Sequence, residues 1–345
     1  MIEFSRRRGS AEILDPRENF SLNSIDVEFR RDPLTGESGR IAHIGLITPQ
    51  KEDYTVWDRE EYRQRCPFCP QNIDQATPMF PQELIPGGQI QKGEARVIAN
   101  IGPYDQFSAL TVMGKEHVMP LERMTASYLK DAFEASLEFC RTVLEKEREL
   151  PYPMIAWNYM PPSGGGLLHP HQQIFVTDEP GNLYRKTMQE SKNFYWKYGR
   201  NYWKELCRQE EEREERFISR GEHVSWLTSF TPLGVLGEIL AVFPGYSTIY
   251  DITEEVLDDF LAGLLRVFEY FNSQNIGSFN MALFMAPQGE AEEYFTLHAR
   301  LIPRTFINLQ LCPPDMNSLQ VALQESFSVI SPEEQCRDLQ SFFEG

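Results

Sequence analysis

Residues 164–177 read GGGLLHPHQQIFVT, and His169 and His171 stand just ahead of the apolar run Ile174-Phe175-Val176. A β-branched and aromatic run of this kind predicts a strand, in which residues two apart share a face. Both imidazoles, and Gln173 beyond them, would then line one surface. Ser163, Gly164, Gly165 and Gly166 come directly before; glycines let a backbone approach a ligand closely and expose N–H donors. Clustered imidazoles beside such a turn suit either a metal or phosphate chemistry. Two ordinary half-buried histidines on a strand behind a glycine turn would also account for this stretch by itself. Other ligating residues shift the balance.

Cys66-Pro67-Phe68-Cys69-Pro70 is a tight knuckle whose prolines restrict the backbone around both thiols. His117 ends a strand predicted over Leu110–Met113 and the residues after it. Cys66, Cys69, His117 and His169 together supply two thiolates and two imidazoles, the donor set of a closed, tetrahedral, structural zinc site. The spacing is not that of a small zinc finger, and a CxxC alone is as readily two unpaired thiols in a turn. The set of four, at strand ends in one half of the chain, favours a metal. His171 is then left free, and an imidazole beside a phosphate-friendly turn can act as a nucleophile, forming a phosphoramidate that divides one transfer into two steps. Gln173 could donate its amide to a phosphoryl oxygen, and the amides of Ser163–Gly166 could stabilise developing negative charge. The attacking nitrogen must be unprotonated, and the other ring nitrogen must be hydrogen-bonded to fix the tautomer. No carboxylate near in sequence is placed to do this, so a backbone carbonyl is the expected partner.

The elements that must hold these residues follow a repeated order. Residues 1–25 show no clear periodicity and read as an irregular arm, followed by an extended segment into the Pro33–Gly36 turn and a strand over Ile41–Thr48. Arg96–Asn100 and Leu110–Met113 predict strands, and residues 120–147 an amphipathic helix through Leu129, Phe133, Leu137 and Cys140. Met154–Met160 and the HPHQQIFV segment are the next strands. Residues 180–216 predict one long helical connector with a charged, solvated face. The second half then repeats the pattern: strands at 224–227 and 239–243, a helix over Thr253–Phe271 with an acidic first turn, and strands at 279–285 and 294–302. His171 overlays on His298, and His169 on Thr296. An internal duplication of a strand–strand–helix–strand–strand unit is the economical reading, with a closing helix at Pro332–Phe343. The fold expected is α+β, in two tandem halves of antiparallel sheet with packed helices, divided as 1–178 and 179–345.

With 345 residues the chain can hold two moderate units sharing a core. Its formal charge of −18 argues against nucleic-acid binding, because phosphate-backbone affinity comes from lysine and arginine. The N-terminus is basic but lacks the apolar stretch of a secretory signal, and no run is long enough to span a bilayer; a soluble cytoplasmic protein is expected. Six cysteines in such a length do not form a disulfide scaffold, so Cys140, Cys207, Cys312 and Cys336 read as buried thiols. His43 and His223 have no evident partners and read as ordinary strand or loop residues.

The motif His169-Pro170-His171-x-Gln173, with the Cys66/Cys69 pair upstream and His117 between, resembles the galactose-1-phosphate uridylyltransferase family of the histidine-triad superfamily. The resemblance also takes in Arg30-x-Asp32-Pro33-Leu34-Thr35-Gly36, Arg96-Val97-Ile98-x-Asn100, Asn158, the Trp226…Phe243-Pro244 strands and Leu301-Ile302-Pro303-Arg304. It implies two histidine-triad-like halves, a homodimer, and a ping-pong transfer of UMP from a nucleotide sugar to a sugar 1-phosphate, as in galactose metabolism. By that resemblance His171 attacks the α-phosphorus, with zinc on Cys66, Cys69, His117 and His169 as a structural ion. Asn100 and Asn158 match positions near the nucleotide, and Arg30 and Gln173 match positions near its phosphates. Thr296 replaces the histidine that a second metal would require, so one zinc per chain is expected. His298 is either an inherited remnant packed between the halves or a phosphate contact. An ADP-sugar or dinucleoside polyphosphate phosphorylase, using the same histidine with phosphate as acceptor, is the nearest alternative. A non-catalytic, zinc-stabilised nucleotide-binding protein is the other.

Overall fold

The computed structural model describes residues 2–43, 47–147, 149–287, 289 and 293–344. The expected duplication is present, and its two halves merge into a single sheet. In the first half lie β4 (Ile90–Lys92), β5 (Ala95–Ala99), β6 (Phe107–Val112), β7 (Tyr152–Tyr159) and β8 (His171–Thr177). They follow an N-terminal group of β1 (Arg6–Asp15), β2 (Ser21–Arg31) and β3 (Ser38–Ala42). The second half supplies β9 (Phe217–Arg220), β10 (Ser225–Thr228), β11 (Ile239–Val242), β12 (Ser278–Phe284) and β13 (His298–Arg304). A last strand, β14 (Ser326–Ser328), joins β3 in parallel.

The large sheet runs β4-β5-β6-β8-β7-β12-β13-β11-β10-β9, every neighbouring pair antiparallel. Read from either end, the order is the same, with the seam at β7 and β12, where Asn158 stands opposite Asn280. The second sheet is β1-β2-β3-β14.

Helices α1 (Ala126–Lys146) and α4 (Glu254–Ser273) cover one face of the large sheet. Leu129, Phe133, Leu137 and Cys140 are buried along α1 at helical spacing, as the amphipathic pattern demands. Thr125 and Thr253 cap the two helices through Tyr128 N and Val256 N. Phe133 meets Phe260 edge-on at 5.8 Å between ring centroids, and Trp157 meets Phe279 at 5.0 Å beneath them. This aromatic core clamps the seam strands to both helices, and each buried ring contributes about 1.5–3 kcal/mol of apolar burial.

The connector is two helices, α2 (Asn182–Tyr198) and α3 (Tyr202–Arg213), where one long stretch was expected. Gly199 takes a left-handed φ of 62° to end α2, and Asn201 starts α3 by accepting from Trp203 N and Lys204 N. Tyr202, Trp203 and Leu206 pack with Leu227, Leu240 and Val242, covering the second half of the sheet on the face away from α4. The closing helix α5 (Pro332–Phe343) forms as expected.

The expected irregular arm is ordered from Arg6 onward. Residues 6–25 form most of the β1–β2 hairpin, paired from Arg6↔Arg30 to Asp15↔Ser21. Its side chains are mostly exposed on both faces, so no apolar alternation marks it in the sequence. Of the strand expected over Ile41–Thr48, only the start belongs to β3, and residues 44–46 lie outside the described residues. Strand β13 begins at His298, four residues later than expected. Cys140, Cys207 and Cys336 are buried, whereas Cys312 is exposed.

Candidate functional site

Cys66, Cys69, His117 and His169 come together as a buried quartet, all four ligand atoms within 4.8 Å of one another. His169 Nδ1 is 3.7 Å from each sulfur, and His117 Nδ1 is 3.4 Å from Cys69 Sγ. A tetrahedral zinc with ordinary bond lengths would set sulfur–nitrogen separations of about 3.5–3.6 Å. The tautomer agrees. His169 Nε2 lies 2.8 Å from Gly114 O, which can only accept, so Nδ1 carries the lone pair turned towards the sulfurs. Burial lowers the His169 pKa to about 4, keeping the ring neutral, and pushes the Cys69 thiol up to about 12, with Cys66 adding to the shift. Two adjacent buried thiolates need a cation to exist, and a metal ion held by the quartet would supply it.

Immediately after this cluster, His171 opens β8. Its Nδ1 lies 2.8 Å from His169 O. The carbonyl accepts, so Nδ1 holds the proton and Nε2 the lone pair; this is the backbone-carbonyl arrangement the sequence led one to expect. Phe68, from the knuckle between the two cysteines, meets the His171 ring edge-on at 5.3 Å. The Cys66–Cys69 knuckle therefore also packs the imidazole. Burial lowers the His171 pKa, so the ring is neutral. Its residual exposure of 8 % leaves an open side.

Gln173 is the next residue on the same face, half-buried, and its amide has no protein partner among the described residues. Gln172, between them, turns to the opposite face and accepts from Ser136 Oγ of α1 at 2.7 Å. The glycine turn is only partly available. Ser163 N, Gly164 N and Gly165 N bond inward to Met160 O, Pro161 O and Met160 O. That corrects the picture of a continuous row of free amides from 163 to 166. Among the described residues, Gly166 N has no protein acceptor, and Gly166 is exposed. Gly165 is required for fit, because a Cβ there would lie 3.0 Å from both Asn158 O and Met160 O.

Asn158 sits on β7 on the same side of the sheet, its Oδ1 accepting from Asn280 Nδ2 at 2.7 Å. Asn100 is held in the β5–β6 turn, donating to Ser108 Oγ at 3.3 Å and accepting from Gly102 N at 2.9 Å. Arg30 is placed elsewhere in this chain. Its guanidinium is buried against Glu28 Oε1 (2.7 Å), Phe230 O (3.0 Å) and Glu333 (2.8 and 3.0 Å). Burial raises the Glu333 carboxyl, but Arg30 and Arg216 outweigh it and hold the pKa at about 2. His298 is fully buried between Trp203 and Phe284, with ring centroids at 3.8 and 4.8 Å. His43 is exposed, and His223 Nδ1 has a partner in Tyr246 OH at 2.7 Å.

Sequence reading missed Phe68 as a packing residue for His171, and it missed Asn280. The only available signal for Asn280 was a lone amide inside the apolar strand Phe279-Asn280-Met281-Ala282-Leu283-Phe284.

No protein-family model matches the chain. An uncharacterized protein of Archaeoglobus fulgidus is 27 % identical over 318 residues, covering 92 % of each chain. The fold is similar to that of an ADP-glucose phosphorylase from Arabidopsis thaliana solved with bound ADP-glucose. The TM-score is 0.71 at 14 % identity, covering 91 % of this chain and 98 % of that one. A mutant uridylyltransferase superposes with a TM-score of 0.65 at 18 % identity, covering 92 % and 98 %. The α+β, two-half architecture is thus that of the galactose-1-phosphate uridylyltransferase-like fold.

Proposed function

We propose that the chain is a nucleotidyltransferase that moves a nucleoside monophosphate from a nucleoside-diphosphate sugar through a covalent nucleotidyl-His171. The observation that carries this is the His171–His169 O hydrogen bond, which leaves Nε2 unprotonated on the open side of a neutral ring. In the first step Nε2 attacks the α-phosphorus. The bond from that phosphorus to the bridging oxygen breaks, and the sugar 1-phosphate leaves with the electron pair. In the second step an acceptor phosphate oxygen attacks the same phosphorus, and the P–N bond electrons return to Nε2. Gln173 and Gly166 N supply donors for the negative charge that grows on the phosphoryl oxygens. Zinc on the Cys66/Cys69/His117/His169 quartet holds the start of β8 and performs no step.

The finer assignment is UMP as the group moved and a hexose 1-phosphate as acceptor. Likeness in fold to an ADP-glucose phosphorylase favours a second version, with an ADP-sugar as donor and inorganic phosphate as acceptor. Residues 1–178 carry the chemistry, and 179–345 close the other half of the sheet. We further propose a homodimer in the cytoplasm, with no nucleic-acid or membrane partner; Trp196 and Tyr198, exposed on α2, are the interface candidates. No helix among the described residues is long and apolar enough to cross a membrane.

The test is intact-protein mass spectrometry after incubation with a panel of UDP- and ADP-sugars. A mass increase of one nucleoside monophosphate identifies the reaction and the base together, and its absence with every donor counts against the reading. Acceptor choice follows from adding glucose 1-phosphate, galactose 1-phosphate or phosphate to the isolated adduct.

A further inference from the structure

One line of hydrogen bonds crosses the seam between the halves. Asp315 Oδ1 accepts from Arg304 Nε at 2.8 Å and from Nη2 at 2.6 Å. Arg304 Nη1 donates to Asn280 Oδ1 at 2.7 Å. Asn280 Nδ2 donates to Asn158 Oδ1 at 2.7 Å and to Ser163 O at 2.9 Å. Every direction in this line is fixed by chemistry, because a guanidinium only donates and a backbone carbonyl only accepts. Arg304 requires an oxygen on one side of the Asn280 amide. Ser163 O requires a nitrogen on the other. Both anchors select the same orientation, and the atom of Asn158 that faces Asn280 must therefore be its oxygen. The free end of Asn158 is Nδ2, a donor with no protein acceptor among the described residues.

That free donor stands at the reacting strand. The β7–β8 ladder ends at Ala156↔Gln173, and two residues further on, Asn158 and His171 continue the same faces of the two strands. We infer that Asp315, Arg304 and Asn280 are positioning residues that set the polarity of Asn158, so that its amide meets an anionic phosphoryl oxygen as a donor. An unfixed Asn158 could turn its oxygen to the same place and repel that ligand. The Ser163 end of the line also ties the glycine turn to β12. The C-terminal segment thus acts on the first-half site through three side chains and without touching ligand. This inference rests on the nucleotidyl-transfer reading for the identity of the oxygen, but the orientation of the amides stands apart from it.

The experiment is a double-mutant cycle with Asn280→Asp and Asn158→Ala. An aspartate at 280 offers oxygen on both sides, so Asn158 must turn Nδ2 inward and present Oδ1 outward. Asn280→Asp is expected to slow adduct formation from UDP-glucose or ADP-glucose by on the order of 10²-fold, as loss of a charge-stabilising donor does. In the Asn158→Ala background the same change should add no more than a few-fold, because its target is gone. Losses that simply multiply would mean that Asn280 acts structurally and would overturn the inference, as would wild-type rates in Asn280→Asp. Urea unfolding of the same four proteins without ligand gives an independent reading. Coupling between positions 158 and 280 supports the fixed amide pair even if no donor labels the wild-type protein, and its absence overturns the pair whatever the donor.

Discussion

His171 and His298 occupy equivalent places in the two halves, and almost everything around them differs. Each opens the strand that pairs next to its seam strand, and each bonds Nδ1 to the carbonyl two residues before it, at 2.8 Å to His169 O and 2.9 Å to Thr296 O. The backbone therefore prepares the same tautomer twice. In the first half the residue two before is His169 of the Cys/His quartet, the ring meets Phe68 edge-on, and 8 % of the residue stays exposed against none of His298. In the second half that residue is Thr296, and Trp203 stacks on the imidazole with a 24° interplanar angle. His298 Nε2 is buried with no hydrogen-bond partner among the described residues. The pair teaches that one backbone device can prepare the same tautomer twice, and that under the proposed mechanism only the less enclosed ring has room for a phosphoryl group. Gln173 has a counterpart in Arg300, whose guanidinium is occupied by Glu238 at 2.6 Å. The second half keeps the scaffold of a site and fills it with side chains.

The largest expected effect breaks the comparison at the proposed nucleophile. His171→Gly should abolish the covalent adduct and lower overall transfer on the order of 10⁴-fold or more, with the zinc content and far-UV dichroism unchanged. His298→Ala should still form the adduct, and its loss should appear in stability instead. Full transfer by His171→Gly with its best donor would show that the mechanism proposed here is wrong.

Next comes the proposed metal, for which the described residues gather a ligand set in the first half alone. Cys69→Ser, or prolonged chelation, should remove one zinc per chain and lower the unfolding free energy by at least about 3 kcal/mol, since binding energy at a structural site is folding energy. Elemental analysis and urea melts check both parts. Two tightly bound zincs per chain would mean that the second half holds a site after all.

The two halves also differ in how far they could be read in advance. The quartet was legible because thiol and imidazole are rare, chemically specific donors, and the partner of His171 because a strand leaves its own backbone as the nearest acceptor. The repeat itself was legible from element order. The seam was not, because β7 and β12 each read as a strand with an unspecified neighbour. The ion pair of Arg30 was not legible: its partner Glu333 lies 303 residues away, and no local pattern announces such a contact. Which ring Trp203 covers was not legible, since the apolar side of a charged helix, here Tyr202, Trp203 and Leu206, does not announce the surface it will meet. The hairpin escaped notice because register signals come from one buried face, and most of its residues have none.

Trp203 tests the closed half directly. Trp203→Ala removes the ring that seals His298 and should destabilise the chain by about 3 kcal/mol, in the range for emptying a buried aromatic position. Adduct stoichiometry should stay at one per chain, because Phe284 and Phe295 still flank the imidazole. Two nucleotidyl groups per chain in this variant would show that the lid alone silences the second half.

The smallest effect is the pH signature of a sealed imidazole. Burial lowers the His298 pKa to about 3; the bond to Thr296 O opposes this, and the Arg300 charge reinforces it. In the unfolded chain the group returns to its ordinary value near 6.5. Between those values the unfolded state binds the extra proton, so stability rises with pH. The contribution is fully present above about 6.5 and is lost progressively as pH falls towards 3, with a slope of up to about 1.4 kcal/mol per pH unit. The rings facing His298 are Trp203, Phe284 and Phe295, none of which titrates, and Arg300 keeps its charge throughout this range. His298→Phe, which preserves the stacked packing, should therefore flatten the wild-type rise in unfolding free energy between pH 4.5 and 6.5, by on the order of 1 kcal/mol per pH unit. Carboxylates titrating in the same window contribute equally to both proteins and cancel in the difference. Parallel wild-type and His298→Phe profiles across that interval would mean that His298 is protonated in the folded chain, and the second half would then be more open than its packing implies.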